Sequence, residues 1–315
     1  MGHSRLNFRA PAAIVFPFFG RLPFLFRSTG VESRHWTLVT ASFCSLTDTP
    51  MVYQIHPVEW ESAFFGFPIG SLDIPADFSQ ADLQELLRQG QRHFRLIYVF
   101  RQGFGPETLE ALDTPCVRYD QRITFKKVIA RSVPPLDEHV KAYTSTICCK
   151  QLEALAITSG TMTRFMRDPE LSLQYERLFL TWINNSVSGG LADSIWTWRE
   201  NGKMIGLATV RCAKRICPEN GQPEREGRIG MLAVHEQFRR KGIAGTLLRT
   251  CDYWCHSLDI PIASIITQSD NVATISLCKK LGYEQTETDS VYHCWSPGWV
   301  YDTRYGWTQH KRAGE

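Results

Sequence analysis

Apolar residues recur along the chain with two periods, one typical of helices and one typical of strands. Leucines at helical spacing predict a short amphipathic helix within residues 78–90. Apolar runs predict strands at 52–57, 96–100 and 116–127. One helix and three strands can form little more than half of an α/β layer. We therefore expect residues 51–130 to be a small N-terminal α/β module that packs on a larger domain.

The pattern after Pro134-Pro135 predicts a longer unit, residues 131–299. Its expected helices cover 151–165, 171–186, 243 to beyond 254, and 271–281. Its expected strands cover 194–199, 204–210, 229–234, 262–267 and 290–295. Asn201-Gly202 has the sequence of a two-residue hairpin turn. The order of elements indicates an α/β (α+β) class with one mixed sheet, followed by a tail, residues 300–315, with little regular structure.

Residues 1–50 differ in composition from the rest of the chain. They contain several Arg, no Lys, and only Glu32 and Asp48 as acids. The apolar run 12–20 is too short to span a membrane, and prolines interrupt it. A signal or transit segment is one interpretation, although no convincing Ala-x-Ala site is present. We expect instead that these residues are an extension without a stable fold, and that the true start is Met51.

Composition and charge restrict the classes of partner. The chain has 315 residues, of which 43% are hydrophobic and 21% charged, as in an ordinary globular protein. Its formal net charge of +3 is too small to indicate binding to nucleic acid or to an anionic membrane. Its ten cysteines are scattered without a Cys-x-x-Cys pair, which argues against a zinc site and a disulfide framework. We expect no metal, and free thiols in a reducing cytoplasm.

The most informative segment joins a predicted strand to a predicted helix through a basic turn. Strand 229–234 is followed by His235, the turn Arg239-Arg240-Lys241-Gly242, and a helix that begins at about Ile243. Free N–H groups at the helix start, the helix dipole and the basic side chains together favour a phosphorylated ligand. An ordinary strand-to-helix corner is the alternative interpretation.

Two motifs in this region resemble a known family. Arg239-x-x-Gly242-x-Ala244 is similar to the pyrophosphate-binding signature of the GCN5-related N-acetyltransferase (GNAT) family. The segment from Asn271 to Tyr283 resembles the other signature of that family. The resemblance implies a GNAT fold, in which parallel strands splay apart, and acetyl-CoA as co-substrate. It also implies the cofactor-binding residues Leu232, Ala233, Val234, Arg239, Arg240, Lys241, Gly242, Ile243, Ala244, Gly245 and Asn271.

A narrower resemblance covers nearly all of the chain after Met51. Segments 60–66, 163–169 and 175–189 look like those of the TDP-fucosamine acetyltransferases, which acetylate the 4-amino group of a nucleotide-activated 4-amino-4,6-dideoxy-galactose. The resemblance implies such an amino sugar as small-molecule substrate. The implied substrate-binding residues are Arg164, Phe165, Arg167, Tyr175 and Trp182. The alternative for the two arginines is an exposed pair that forms surface salt bridges with Asp168 and Glu170.

The catalytic residues are harder to assign, because Cys278 stands where the family usually has a Tyr that is the proposed acid. Cys278 is therefore a candidate proton donor, and a thiol that is simply packed on a helix is the alternative. Tyr283 is a nearby substitute as acid. His235 is a candidate base, or else a solvated loop residue.

The sequence thus predicts an N-acetyltransferase that transfers an acetyl group from acetyl-CoA to a TDP-4-amino-4,6-dideoxy sugar. One alternative is a GNAT enzyme that acts on another amine, such as a different nucleotide sugar or a peptide N-terminus. A non-catalytic acyl-CoA-binding module is the other alternative. A homodimer remains open at this point.

Overall fold

A computed structural model describes the protein at residues 39–43, 51–109, 116–132, 134–217, 221–302 and 306–309. The helices are α1 (Glu59–Phe65), α2 (Gln80–Gly90), α3 (Lys150–Ser159), α4 (Arg164–Arg167), α5 (Pro169–Ser172), α6 (Tyr175–Val187), α7 (Ile243–Ser257) and α8 (Val272–Lys280). The strands are β1 (Val39–Phe43), β2 (Met51–Pro57), β3 (Ile69–Ile74), β4 (Leu96–Gln102), β5 (Thr108–Leu109), β6 (Cys116–Val128), β7 (Val140–Ala142), β8 (Ser194–Glu200), β9 (Lys203–Ile216), β10 (Pro223–Val234), β11 (Ile262–Gln268), β12 (Glu284–Trp295), β13 (Trp299–Asp302) and β14 (Gly306–Gln309). The expected α/β class with a mixed sheet is confirmed.

Twelve of these strands form one sheet that runs through both halves of the chain. Its order is β1-β2-β3-β4-β12-β6-β11-β10-β9-β8-β7, and β5 pairs with β6. Strand β6 belongs to the N-terminal segment, yet it lies between β11 and β12 and is antiparallel to both. Residues 51–130 and 131–299 are therefore joined through a common sheet, which is a closer connection than one module packed on another.

Helices cover both faces of this sheet because its central strands carry apolar side chains on both faces. Leu207 of β9 packs in a cluster with α3 and α6, and its neighbour Ala208 packs on the opposite face with α7. Helix α2 buries Leu83, Leu86 and Leu87 against the outer strands of the N-terminal half. None of the helices in the described ranges is long and apolar enough to cross a membrane.

The two helices predicted before the meander are more interrupted than expected. Helix α3 ends at Ser159, because Gly160 and the hydroxyl-rich residues after it favour a turn. Helix α5 begins at Pro169 after Asp168, whose backbone is extended and whose side chain accepts from the N–H of Glu170. The prediction of continuous helices over 151–165 and 171–186 was therefore wrong at these breaks.

Turn chemistry, in contrast, was predicted correctly at the hairpin between β8 and β9. Asn201 and Gly202 have φ values of 49° and 74°. Both values lie in the left-handed region that a type I′ turn requires at its two central residues. These two residues set the register at the turn, where Glu200 lies opposite Lys203. An irregularity between Trp198 and Arg199 then shifts the pairing by one residue, so that Ser194 lies opposite Val210.

Three expectations about the ends and the cysteines differ from the structure. Strands β13 and β14 form a hairpin in the tail, where little regular structure was expected. Strand β1 pairs with β2, so part of the expected unstructured extension is a strand at the sheet edge; the rest of residues 1–50 lies outside the described residues.

Cys116 and Cys294 form a disulfide, against the expectation of free thiols only. The sequence alone does not indicate this pair, because 178 positions separate the two residues. Only the pairing of β6 with β12 brings them together.

Candidate functional site

Strands β10 and β11 separate in the middle of the sheet and leave a gap. They pair in parallel from Glu226 opposite Ile262 to Ile229 opposite Ile265, and the pairing ends there. A bulge follows Ile229 in β10, which continues to Val234 along β9 alone. Beyond Ile265, β11 pairs only with β6. A bulge bends and twists its strand, so the two strands diverge from this point.

The diverging part of β10 presents backbone amides to the gap. The N–H groups of Met231 and His235 both point toward β9, where they donate to the hydroxyl of Thr209 at 2.9 Å and the carbonyl of Ile205 at 2.8 Å. Amide directions alternate along a strand. The N–H groups of Leu232 and Val234 therefore point away from β9, toward the side that β11 has left.

The basic turn at the end of β10 has the form of an anion site. Arg240 and Gly242 have φ values of 63° and 81°, a left-handed conformation that is easiest for glycine. Helix α7 begins at Ile243, and within the described ranges the N–H groups of residues 240–245 have no backbone carbonyl as acceptor. Several free amides and the positive end of the helix dipole thus meet at one point.

The basic side chains of the turn do not all have the same role. The guanidinium of Arg239 turns back, and its Nε donates to the carbonyl of Val234 at 3.2 Å. Arg239 therefore braces the turn. Arg240 and Lys241 are exposed, and the Lys241 ammonium lies 5.1 Å from the centre of the Phe238 ring. These two cations are placed to meet a negatively charged ligand.

On the far side of the gap, α8 starts beside α7. Asn271 caps α8, because its side-chain oxygen accepts from the N–H of Thr274 at 3.2 Å. Capping uses the oxygen, and the amide nitrogen of Asn271 is left to donate to a ligand. A Cβ on Gly245 would lie 3.3 Å from the Leu277 side chain, so α7 and α8 approach closely at this glycine.

Behind this gap, the space between the splayed strands is a cleft. Its lining comes from β6, from the start of α4, and from the facing parts of β10 and β11. The lining residues are Asp120, Arg122, Thr163, Arg164, Phe165, Ile229, Gly230, Ile266 and Gln268. Strand β6 thus supplies charged side chains to a cleft whose other walls belong to the C-terminal half.

Asp120 is the acidic residue in this lining, and it is 3% exposed. Among the described residues, its Oδ1 atom has no hydrogen-bond partner. Burial raises the pKa of the Asp120 carboxyl, because a carboxylate away from water is disfavoured. Sequence reasoning missed Asp120 and Arg122, because a strand with alternating charged residues normally places them in solvent. Only the insertion of β6 beside β11 turns this face inward.

The two arginines that the resemblance assigned to substrate have different partners from those expected. Arg164 is 5% exposed and ion-paired at 3.5 Å with Glu61, a buried residue of α1. Its guanidinium lies 4.1 Å from the centre of the Phe165 ring. Arg167 forms a 2.6 Å ion pair with Asp270. The alternative of an exposed pair with Asp168 and Glu170 is therefore wrong, and Arg164 with Phe165 lines the cleft.

Two other residues assigned to substrate lie in the core. Trp182 is 3% exposed, and its ring packs against Phe179 and Phe165 with centroids 4.8 and 5.4 Å away. Tyr175 is 5% exposed and donates its hydroxyl to the carbonyl of Ile157. Neither belongs to the cleft lining. As a correction, their spacing reflects the buried face of α6 and not a binding surface.

The three catalytic candidates from the sequence lie outside the cleft lining. Cys278 is fully buried, and burial raises its pKa to about 12. Tyr283 is 2% exposed and donates its hydroxyl to Asp252 at 2.6 Å, a contact that joins the residue before β12 to α7. His235 is exposed at the start of a short 3-10 turn. These placements support packing roles for Cys278 and Tyr283 and the solvated loop role for His235.

Comparison with known proteins agrees with this geometry. The sequence model of the Acetyltransferase (GNAT) family matches residues 160–283, the segment that holds the splayed strands, the basic turn and α8. The fold is the GNAT fold. In this structure β6, which comes from outside the matched segment, lies beside β11 in the same sheet.

Curated relatives match parts of the chain. A chloroplastic GCN5-related N-acetyltransferase 10 of Arabidopsis thaliana is 33% identical over 72 residues, 23% of this chain and 27% of that protein. The spore coat polysaccharide biosynthesis protein SpsD of Bacillus subtilis is 28% identical over 145 residues, 46% of each chain. The chain thus spans half or less of the curated relatives that it matches. Among solved structures, a tandem GNAT protein from the clavulanic acid biosynthesis pathway is similar with a TM-score of 0.45 and 14% identity, over 77% of this chain and 78% of that one.

Proposed function

We propose that this protein is an acyl-CoA-dependent N-acetyltransferase, in which an acceptor amine attacks acetyl-CoA directly while both substrates are bound. The observation that carries the proposal is the gap between β10 and β11, which begins at a bulge and ends at a basic turn with free amides. A GNAT family match over the same residues supports it.

The residues present fit acetyl-CoA as co-substrate. The amides of residues 240–245 at the start of α7, with the exposed Arg240 and Lys241, suit its diphosphate. The amide nitrogen of Asn271 is available for the pantetheine arm. Acetyl-CoA supplies the acetyl thioester. Of the other expected cofactor residues, Arg239 braces the turn, and the side chains of Ala233 and Ile243 are buried.

Backbone amides of β10 are suited to stabilise the charge that develops during attack. The N–H groups of Leu232 and Val234 point into the gap and are held in place because β9 fixes their strand. Donors that are already oriented need no reorganisation when an oxyanion forms, and losing one such donor typically costs about 100-fold or more in turnover. This role belongs to the backbone, so it does not depend on the side chains at these positions.

For the acceptor, we propose a TDP-4-amino-4,6-dideoxy sugar. Segments 60–66 and 163–189 resemble enzymes that act on such a compound, and the Bacillus subtilis relative is named for polysaccharide biosynthesis. Arg164 and Phe165 line the cleft, and the exposed Arg167 ends the same helix, α4. A guanidinium at the edge of the cleft is suited to the diphosphate of a nucleotide sugar.

A non-catalytic acyl-CoA-binding module is the second candidate. It is favoured by one observation: Cys278 occupies the family's usual Tyr position, is fully buried and has a raised pKa. A GNAT enzyme for another amine remains the third candidate, since its cofactor site would be the same.

A panel of amines with acetyl-CoA and a thiol-release assay tests all three candidates. We expect the highest turnover with a TDP-4-amino-4,6-dideoxy sugar. Thiol release only with peptide amines would overturn the sugar proposal and leave the N-acetyltransferase proposal intact. Tight acetyl-CoA binding without thiol release for any amine would overturn both and support the binding module.

A further inference from the structure

The cleft between the splayed strands contains one carboxylate and two guanidinium groups, from Asp120, Arg122 and Arg164. All three residues are at least nine-tenths buried, with exposures of 3%, 7% and 5%. The arginines each have a carboxylate partner outside the lining, Asp289 at 3.3 Å and Glu61 at 3.5 Å. Each arginine therefore already has a carboxylate partner, and among the described residues the Oδ1 atom of Asp120 has no hydrogen-bond partner.

Asp120 reaches the cleft because of the way the sheet is assembled. Strand β6 lies between β11 and β12, and Asp120 is opposite Val291 of β12. Across the cleft from β6 is Gly230, beside the bulge at which β10 leaves β11. The carboxylate therefore faces the same gap into which the amides of the next β10 residues point.

We propose that Asp120 binds the ammonium group of the acceptor and takes its proton, so that the free amine can attack the thioester. This inference rests on the proposed N-acetyltransferase function and adds a residue to it. Among the residues that line the cleft, Asp120 is the acid, and no histidine is present to take the proton instead. The catalytic base is then contributed by the N-terminal segment, outside the residues that match the GNAT family.

The step is balanced without any further reactant. The ammonium transfers one proton to Oδ1 of Asp120, and the nitrogen lone pair forms the N–C bond to the acetyl carbon. The C–S bond breaks, its electron pair leaves with sulfur, and the thiolate takes a proton from solvent. The nitrogen loses its second proton to water, and Asp120 releases its own proton once the amide product leaves. The carboxylate is thereby regenerated for the next turnover.

The environment of Asp120 predicts the direction of the pH dependence. Burial raises the pKa of its carboxyl above the ordinary value, which moves it toward the working pH of a base. Part of this rise is opposed by Arg122 on the same strand, β6, and by Arg164 and Arg167 of α4 and Gln268 of β11 on two neighbouring elements. On β12, Asp289 pairs with Arg122. Activity should therefore increase with pH as Asp120 loses its proton.

The test compares Asp120→Asn, Asp120→Glu and the control Asp289→Asn in the full-length protein. The control removes a carboxylate that touches the same Arg122 but does not line the cleft. For D120N we expect kcat to fall about 100-fold or more, the size of effect typical of a general base. The decrease of kcat/KM at low pH (the acidic limb of the pH profile) should disappear in this variant. Its KM for acetyl-CoA and its circular dichroism spectrum should stay unchanged. D120E should recover part of kcat, and D289N should keep the acidic limb.

A second readout does not depend on turnover. The pKa of Asp120 is higher in the folded protein than in the unfolded one, so the folded protein holds this proton more tightly. The stability that Asp120 contributes is therefore lost as the pH rises through its folded pKa. D120N should therefore melt at a higher temperature than the wild type at pH 8, with little difference at pH 4. An active D120N enzyme with an unchanged pH profile would overturn the inference and leave the proposed function intact. A wild type that is inactive on every amine would overturn both.

Discussion

The proposed cofactor side and the proposed acceptor side of this protein are built in different ways. The cofactor side consists of β10, the basic turn, α7 and the start of α8, all within one continuous segment of the chain. The acceptor side combines β6, α1 and α4, with the ion pair of Arg164 and Glu61 spanning 103 positions in sequence. A diphosphate needs only amides and cations in a fixed turn, whereas a cleft that selects an acceptor needs walls from several elements.

This difference determines what sequence reasoning could find. Gly242 and the helix that begins at Ile243 follow from local rules, because a glycine turn between an apolar strand and a helix has few other structures. The splaying of β10 and β11 is implied by the family resemblance. Asp120 could not be predicted, since its burial depends on which strand neighbours β6. The family resemblance assigned Tyr175 and Trp182 to the substrate, although both side chains are buried in the core.

Breaking the acceptor side should have the largest effect on stability. Glu61→Ala removes the buried partner of Arg164 and leaves a guanidinium without compensation, which typically costs about 3 kcal/mol. We expect that loss of unfolding free energy in urea, with a raised KM for the acceptor and an unchanged Kd for acetyl-CoA. The matched control is Glu85→Gln, which removes an exposed Glu–Arg pair of α2 and should change neither quantity measurably. A loss of acetyl-CoA affinity in Glu61→Ala would contradict the independence of the two sides.

Breaking the cofactor side should lower stability less than Glu61→Ala does. It should also weaken the binding of acetyl-CoA and leave the KM for the acceptor unchanged. Gly242→Val places a β-branched side chain at a φ of 81°, and such strain costs about 1–2 kcal/mol. Because the turn can relax by moving its amides, we expect acetyl-CoA to bind about tenfold more weakly, which corresponds to about 1.4 kcal/mol. The KM for the acceptor should not change. Gly202→Val, at another left-handed glycine in the β8–β9 hairpin, is the control for backbone strain away from the site.

The smallest effect is expected at Cys278. A proton on a thiol whose pKa is raised to about 12 does not move readily to a leaving thiolate, because a free thiol has a pKa of roughly 8.5. Cys278→Ala should therefore retain turnover within about twofold, a difference too small for the loss of a proton donor, which typically costs 100-fold or more. Cys255→Ala, another buried thiol that does not line the cleft, should behave the same way. A selective loss of turnover in Cys278→Ala would restore the catalytic interpretation.

We propose that acetyl-CoA binds at the amides between the splayed strands and the start of α7. Hydrogen–deuterium exchange of the wild-type protein, with and without coenzyme A, tests it most directly. We predict slower exchange in peptides that cover residues 232–234 and 240–245, and little change in α2 at the far end of the sheet. Unchanged exchange at residues 240–245 in protein saturated with coenzyme A would contradict the account.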